Sequence, residues 1–331
     1  MSLAQAGIDV GLWAPDQSAA TTPFLPAVSA VQRLTGTEAG ALERFGNPDV
    51  LHDNGIWMPH NHRLAQLAAR RRLPRLVSTR GMLEPWATNH KRLKKRLAWM
   101  LYQRHDLKRS RCLHATSIAE AGNLERCGLG IPIHVIPNGV DLPELPTKQT
   151  TNGSRIALFL GRIYPVKGLP MLIEAWARVR PERWLLKIAG PDEGRHRAAV
   201  EKQVSAAKLG GTVSFAGELD SQAREAALFG ADLLVLPTYS ESFGMVVAEA
   251  LAHGLPALTT TGAPWPMLEQ RGCGWQVEPT IDAIAEGLRQ ATSRDSGTLR
   301  DMGERGRELV EAEFGWEKIA TQFVSMYSDL A

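Results

Sequence analysis

Cysteine is scarce and scattered in this chain. Cys112, Cys127 and Cys273 are its only three, with no CxxC pair and no His cluster beside any of them. That spacing argues against a disulfide framework and against a zinc site, and a reducing, cytoplasmic setting is the default expectation. Long apolar runs are lacking too, none approaching the ~18 residues that cross a bilayer. The opening MSLAQAGIDVGLW has none of the basic, apolar and small-residue series of a secretory leader. No Asp-x-Asp pair occurs, so metal chemistry is not expected, and no GxxxxGK[ST] loop occurs either. Internal repeats and nucleic-acid motifs are missing as well.

What remains is the balance of a soluble globular protein, 44% apolar and 22% charged, in 331 residues that suffice for two domains. The net charge of +3 is unevenly spread. Residues 1–150 hold 19 Lys and Arg against 12 Asp and Glu, a balance of +7, and the remainder holds 19 against 23, a balance of −4. Such a split suggests halves with different partners.

The second half alternates apolar runs with helical patterns. SRIALFLG, WLLKIAG, TVSFAG, DLLVLP, PALTT and GCGWQVE read as strands. LPMLIEAWARV, EGRHRAAVEKQVSAAKLG, SQAREAALFGA and GMVVAEALAHG read as helices between them. Strand and helix at this spacing mean βαβ units and a parallel sheet covered on both faces. IDVGLWAP, DVLHDN, RLVSTRG, CLHATS and HVIPNG carry the same rhythm less clearly through the first half. The segment 136–153, rich in Pro, Asn, Gly and Thr, marks the boundary between domains. The expected fold is α/β, two Rossmann-like doubly wound domains facing each other across a cleft, with ligands at the carboxyl ends of the strands.

Two stretches carry the chemistry. In LFLGRIYPVKG, Gly161 closes a strand, and Arg162 and Lys167 follow in the strand-to-helix loop. Two cations placed there suit a diphosphate, the guanidinium as a planar fork and the ammonium as a point charge. In YSESFGMVVAEALAHG, a strand gives way to a helix near Phe243. Free N–H groups at a helix start bind anions, and Gly244 leaves room for one. Glu241 and Glu249 stand eight positions apart, and eight residues of helix rise ~12 Å, about the reach from a hexose across a diphosphate to a ribose. Each carboxylate accepts hydrogen bonds from hydroxyls. Glu249 sits among apolar neighbours, so burial is expected, and a buried carboxylate demands a ligand or an internal partner. A nucleotide sugar has the layout these groups fit.

ESFGMVVAE resembles the E-x7-E signature of retaining GT-B glycosyltransferases of family 4. GRIYPVKG is similar to that family's diphosphate loop, and IPNGVD to its interdomain segment. RGMLEPWATNHKRLKKRLAW and LHATSIAEA resemble the bacterial branch that builds polysaccharide and lipopolysaccharide chains. FGWEKIATQFVSMYSDL resembles the closing helix that crosses back onto the first domain. The resemblance implies that Glu241 contacts the transferred sugar and Glu249 the ribose. It implies that Arg162 and Lys167 hold the diphosphate, with Gly161, Ser242, Phe243, Gly244 and Met245 completing the donor site. It also implies no cofactor and no metal, only a nucleoside-diphosphate sugar as donor. The family opens with a strand, a Gly-rich loop and a helix; the first strand and its loop are expected to be missing here. Where relatives carry His-x-His-Gly, this chain has His52 and Asn54. His52, Asn54 and Arg80, which follows the strand RLVST, are the candidate contacts to sugar or acceptor.

The expected organisation is an acceptor-side domain over residues 1–142, a nucleotide-sugar domain over 153–313 and a crossing helix over 314–331. The expected activity is metal-independent sugar transfer to a glycan or lipid-linked acceptor in cell-surface polysaccharide synthesis. A sugar-nucleotide binder without activity, and an epimerase or hydrolase on the same scaffold, are the alternatives. Residues 90–111 form one more candidate element. Leu93, Leu97, Met100 and Leu101 recur at helical spacing while Lys91, Arg92, Lys94, Lys95 and Arg96 cover other faces. A basic amphipathic helix suits a peripheral contact with an anionic membrane at its inner face; a core-packed helix with solvated charge is the alternative.

Overall fold

A computed structural model describes residues 2–16, 31–145 and 153–331. The chain divides into two compact units, one from Met1–Asn138 with Trp316–Ala331, the other from Gly139–Gly315. The division falls a few residues before the 142 expected from composition. The reason is local: the Val140 N–H donates to the Phe314 carbonyl at 2.9 Å, which ties the start of the Pro- and Asn-rich segment into the second unit. Residues 146–152 of that segment lie outside the described residues.

In the first unit, β1 (Val10–Trp13) pairs in parallel with β2 (Val31–Leu34). A separate parallel sheet runs β3 (Leu51–Asn54), β4 (Arg75–Ser78), β5 (Cys112–Ala115), β6 (Ile133–Val135), in that order. Among the described residues, two sheets therefore stand where the sequence suggested one continuous rhythm. β2, with the sequence VQRL, escaped notice because half of it is polar and exposed, so no apolar run announces it. The helix Trp316–Leu330 places Ile319, Met326 and Leu330 against Leu76, Cys112 and Ile136.

Among its described residues, the second unit holds one sheet of six parallel strands: β7 (Arg155–Leu160), β8 (Trp184–Ala189), β9 (Val213–Gly217), β10 (Leu233–Leu236), β11 (Ala257–Thr260) and β12 (Gly274–Val277). Their order across the sheet is β12-β11-β10-β7-β8-β9. All four residues of β10 and the last four of β7 are buried, as strands covered on both faces must be. Helices Leu169–Val179 and Ile281–Thr292 supply part of that cover, with Leu172, Trp176, Ile284 and Leu288 in one core with the strands. Each such fully buried side chain contributes about 1.5–3 kcal/mol by leaving water.

Candidate functional site

Read from the middle outward, the second sheet is laid down in one direction from β7 through β9 and in the other from β10 through β12. β7 and β10 are thus neighbours at the point where the winding reverses. Loops leaving their carboxyl ends diverge to opposite faces, and this is where open α/β sheets take ligands. The loop after β7 runs through Gly161, Arg162 and a 3₁₀ turn Pro165–Lys167 to Gly168, then enters the helix Leu169–Val179. Gly168 has a left-handed φ of 69°, and a side chain there would run into the Pro237 carbonyl at the end of β10. The close approach is fixed by two bonds onto one carbonyl. The Tyr239 N–H and the Thr238 hydroxyl donate to Val166 O at 2.8 and 3.1 Å.

That stitching brings Lys167 to Glu241. Lys167 Nζ pairs with Glu241 Oε1, and the two side chains are only 14% and 15% exposed. A few residues on, Gly244 with φ 83° opens the helix Met245–Ala252, whose start has no side-chain cap. The Phe243 carbonyl accepts from Trp265 Nε1 at 2.5 Å, and the rings of Phe243, Trp265 and Phe314 stand 5.3–5.5 Å apart. Trp265 is buried, so the corner at Ser242, Phe243 and Gly244 rests on a rigid aromatic support.

Three expectations are altered by this geometry. Glu241 lies before the helix, so the spacing to Glu249 is not eight residues of helical rise. Only Met245 to Glu249 is helical, ~6 Å, and the rest is loop. Glu249 is partly exposed, and its partner is Arg224 of the helix Ser221–Phe229, reaching it from a neighbouring element. Arg162 does not join Lys167: it is 56% exposed and pairs with Glu193, in the loop after β8, at 2.5 Å. Arg224, Glu193 and Trp265 were not singled out from sequence. Each acts across the fold, and none stands in a pattern that marks it beforehand.

In the first unit, Asn54 and Arg80 come together. Asn54 Oδ1 accepts from Arg80 Nε and Nη2 at 3.1 and 2.8 Å, and Arg80 Nη1 donates to Asn138 Oδ1 at 2.7 Å. The buried Glu120 holds the turn beneath them. Its carboxylate accepts from Thr79 Oγ1 at 2.9 Å, Gly81 N at 2.6 Å, Thr116 N at 2.8 Å and Thr116 Oγ1 at 2.7 Å. His52 points elsewhere. Its Nδ1 meets Tyr327 Oη at 2.7 Å and its Nε2 meets Ser78 Oγ at 2.6 Å, so both ring nitrogens are engaged inside the unit. Ser78 Oγ also meets His114 Nδ1 at 2.6 Å, and His114 Nε2 meets the Ile136 carbonyl at 2.7 Å. A carbonyl only accepts, so His114 donates from Nε2 and accepts at Nδ1. The Ser78 hydroxyl therefore donates to His114 and accepts from His52 Nε2–H, and the Tyr327 hydroxyl donates to His52. Burial holds His52 down to about 3, with the neighbouring His114 adding to it, and His114 down to about 4. His52 is part of a packing lock in this arrangement, not an open contact to sugar.

The family model described as "Glycosyl transferases group 1" matches residues 143–309, about half of the chain, and "Glycosyl transferase 4-like domain" matches residues 2–139. The chain belongs to the glycosyl transferases group 1 family. Among curated relatives, the MMP alpha-(1->4)-mannosyltransferase of Mycolicibacterium hassiacum is 26% identical over 199 residues, 59% of this chain and 48% of that protein. The D-inositol 3-phosphate glycosyltransferase of an Arthrobacter species is 30% identical over 210 residues, 59% of this chain and 49% of that protein. The chain spans about half the length of the curated relatives it matches. Among solved structures, sucrose-phosphate synthase from Thermosynechococcus elongatus aligns with a TM-score of 0.75 at 23% identity, over 99% of this chain and 90% of that one. Anabaena HepE, in complex with UDP-glucose, aligns with a TM-score of 0.74 at 18% identity, over 99% and 94%. The family has the GT-B fold, and these likenesses show that fold for this chain.

Proposed function

We propose that this group 1 protein is a retaining, metal-independent glycosyltransferase that takes a sugar from a nucleoside-diphosphate donor. The observation that carries the reading is the Lys167–Glu241 pair at the reversal point between β7 and β10, next to the uncapped helix start at Gly244. An ammonium, a carboxylate and a helix start without a side-chain cap at one strand-end corner match a diphosphate bearing a sugar. The structural neighbour that holds UDP-glucose supports a nucleotide sugar as donor. Metal independence rests on Lys167 of the β7 loop, which would neutralise the leaving group, and on a sequence without Asp-x-Asp.

In the proposed reaction the acceptor hydroxyl attacks the anomeric carbon on the face from which the diphosphate departs. The bond from that carbon to the acceptor oxygen forms as the bond to the phosphate oxygen breaks, and the acceptor's proton passes to the departing phosphate. Lys167 exchanges its carboxylate partner for the diphosphate and stabilises the charge that develops there. Glu241, released, accepts from sugar hydroxyls. Glu249, further along the helix Met245–Ala252, and Arg224, which pairs with it from the helix Ser221–Phe229, are assigned to the ribose. Acceptor recognition is assigned to the first unit, with Arg80 and Asn54 as its polar contacts. The acceptor class is a glycan or lipid-linked glycan of cell-surface polysaccharide, made in the cytoplasm.

The test is calorimetric titration with UDP, UDP-glucose and GDP-mannose, followed by incubation with radiolabelled donor and a lipid-linked saccharide extract. Binding of a nucleotide sugar, with transfer that keeps the anomeric configuration, is the expected result. Donor binding that ends in hydrolysis or isomerisation, or transfer lost on adding EDTA, would refute the proposal.

A further inference from the structure

The helical segment over residues 92–108 leaves a stripe of large apolar side chains facing outward. It runs as α-helix Arg92–Ala98, π-helix Trp99–Gln103 and α-helix Arg104–Lys108. On the inward side, Lys95 Nζ donates to the Ala87 carbonyl at 2.6 Å and lies 5.6 Å from the centre of the Trp57 ring. Trp99 packs beside Trp57, and Gln103 Oε1 accepts from the Trp57 N–H at 3.0 Å. Leu107 is buried in the core with Val77 and Leu113, so the segment is anchored without Leu93, Leu97 and Leu101. Leu93, Leu97, Met100 and Leu101 are 83%, 54%, 67% and 70% exposed. Their spacing of four, three and one places them on one stripe. Four large apolar side chains grouped like this mark an interaction surface, unlike single exposed ones.

The charge around the stripe says what covers it. Lys91, Arg92, Lys94 and Arg96 are exposed beside it. Residues 85–105 contain six Lys and Arg and no Asp or Glu. The acids on either side are occupied: Glu84 accepts from Asn123, and Asp106 pairs with His62 at 2.6 Å. We propose that this face seats the first unit on an anionic lipid bilayer. Leu93, Leu97, Met100 and Leu101 enter the boundary between headgroups and acyl chains, and Lys91, Arg92, Lys94 and Arg96 meet lipid phosphates. A bilayer surface offers both halves of the complement, an apolar layer beneath a sheet of negative charge. A second copy of the chain would set like charges against each other. The inference stands apart from the donor site, whose residues belong to the other unit, so either can fail alone.

Co-sedimentation with vesicles tests it on the full chain, without any nucleotide. Partition onto phosphatidylcholine mixed with phosphatidylglycerol is expected to exceed that onto phosphatidylcholine alone by ~10-fold or more, and to weaken with salt. Leu97→Ser with Leu101→Ser, and separately Arg92→Gln with Lys94→Gln and Arg96→Gln, should each lower the anionic partition roughly tenfold. All five side chains are exposed, so the melting curve by circular dichroism should stay where it was. Equal partition on both vesicle types, no partition on either, or full partition by both variants overturns the proposal. So does a dimer seen in light scattering that the two Leu substitutions dissolve while vesicles are ignored.

Discussion

Lys167 and Glu241 are the two residues whose contact matters most. Each is about one-seventh exposed, so each has lost much of its hydration and is held by the other. A donor diphosphate would replace one anion at the ammonium with another already carrying more charge, and so compete for it. Lys167→Ala is expected to lower turnover by ~10²–10³, the size of a lost oxyanion donor, and to raise donor KM less. Steady-state donor consumption checks this, and an unchanged kcat would remove Lys167 from the mechanism. The same substitution leaves Glu241 partly buried without its cation and should cost about 1–3 kcal/mol in urea unfolding. Glu241→Gln keeps the shape and should cost less stability while still losing transfer. Both residues were visible in the sequence, as a loop cation and a carboxylate before a helix. Their contact was not. It spans 74 positions and depends on β7 and β10 lying side by side, which spacing along the chain does not reveal. The Arg224–Glu249 pair was hidden for the same reason, and Arg162 was misplaced because nothing local announces Glu193 as its partner.

Among the elements, the helix Met245–Ala252 depends on how it begins. Gly244 sits at φ 83°, and an added Cβ would lie 3.2 Å from Trp265 Nε1. Gly244→Ala therefore meets a left-handed penalty of about 1–2 kcal/mol and crowds the indole that holds the Phe243 carbonyl. Thermal melting should show that loss, and calorimetry should show weaker UDP binding, since the backbone donors at the corner are displaced. Trp265→Phe keeps the ring cluster and removes the N–H, so it separates the two effects: UDP affinity should fall more than stability. The strands were legible in proportion to their burial. β7, β8 and β10 are apolar runs bounded by Gly, Pro and Asp and were recognisable as such, whereas half-exposed β2 was not.

The chain of Tyr327, His52, Ser78 and His114 links three strands to the last helix and makes the first unit acid-sensitive. Both imidazoles are held neutral by burial, His52 down to about 3 and His114 down to about 4, from an ordinary 6.5. Between pH 6.5 and about 4 the unfolded chain takes up protons that the folded chain refuses. Stability contributed by these groups is therefore whole above pH 6.5, falls as pH drops, and levels off below about 3. The slope is up to roughly 1.4 kcal/mol per pH unit for each His. His52→Gln should about halve the pH dependence attributable to the pair in urea titrations between about pH 7 and 5. An unaltered slope would mean that the ring is solvated in the folded chain.

Sequence order and compact units part company at the carboxyl end, because Trp316–Ala331 belongs with Met1–Asn138 and not with the residues just before it. Ile319, Met326 and Leu330 fill the core beside Leu76, Cys112 and Ile136, while Tyr327 closes the histidine chain. A stop after Gly315 would thus strip the back of β4 and β5 without touching any strand of the six-stranded sheet. Three buried apolar side chains are worth about 1.5–3 kcal/mol each, a large part of the 5–15 kcal/mol that stabilises a domain. The expected outcome is selective. Hydrogen exchange at the amides of β3, β4 and β5 should accelerate strongly, those of β7, β8 and β10 should stay protected, and UDP binding should survive while transfer is lost. Uniform loss of protection across both units would show that they fold as one cooperative block. Unchanged exchange in β4 and β5 would show that the helix rests on the first unit without supporting it.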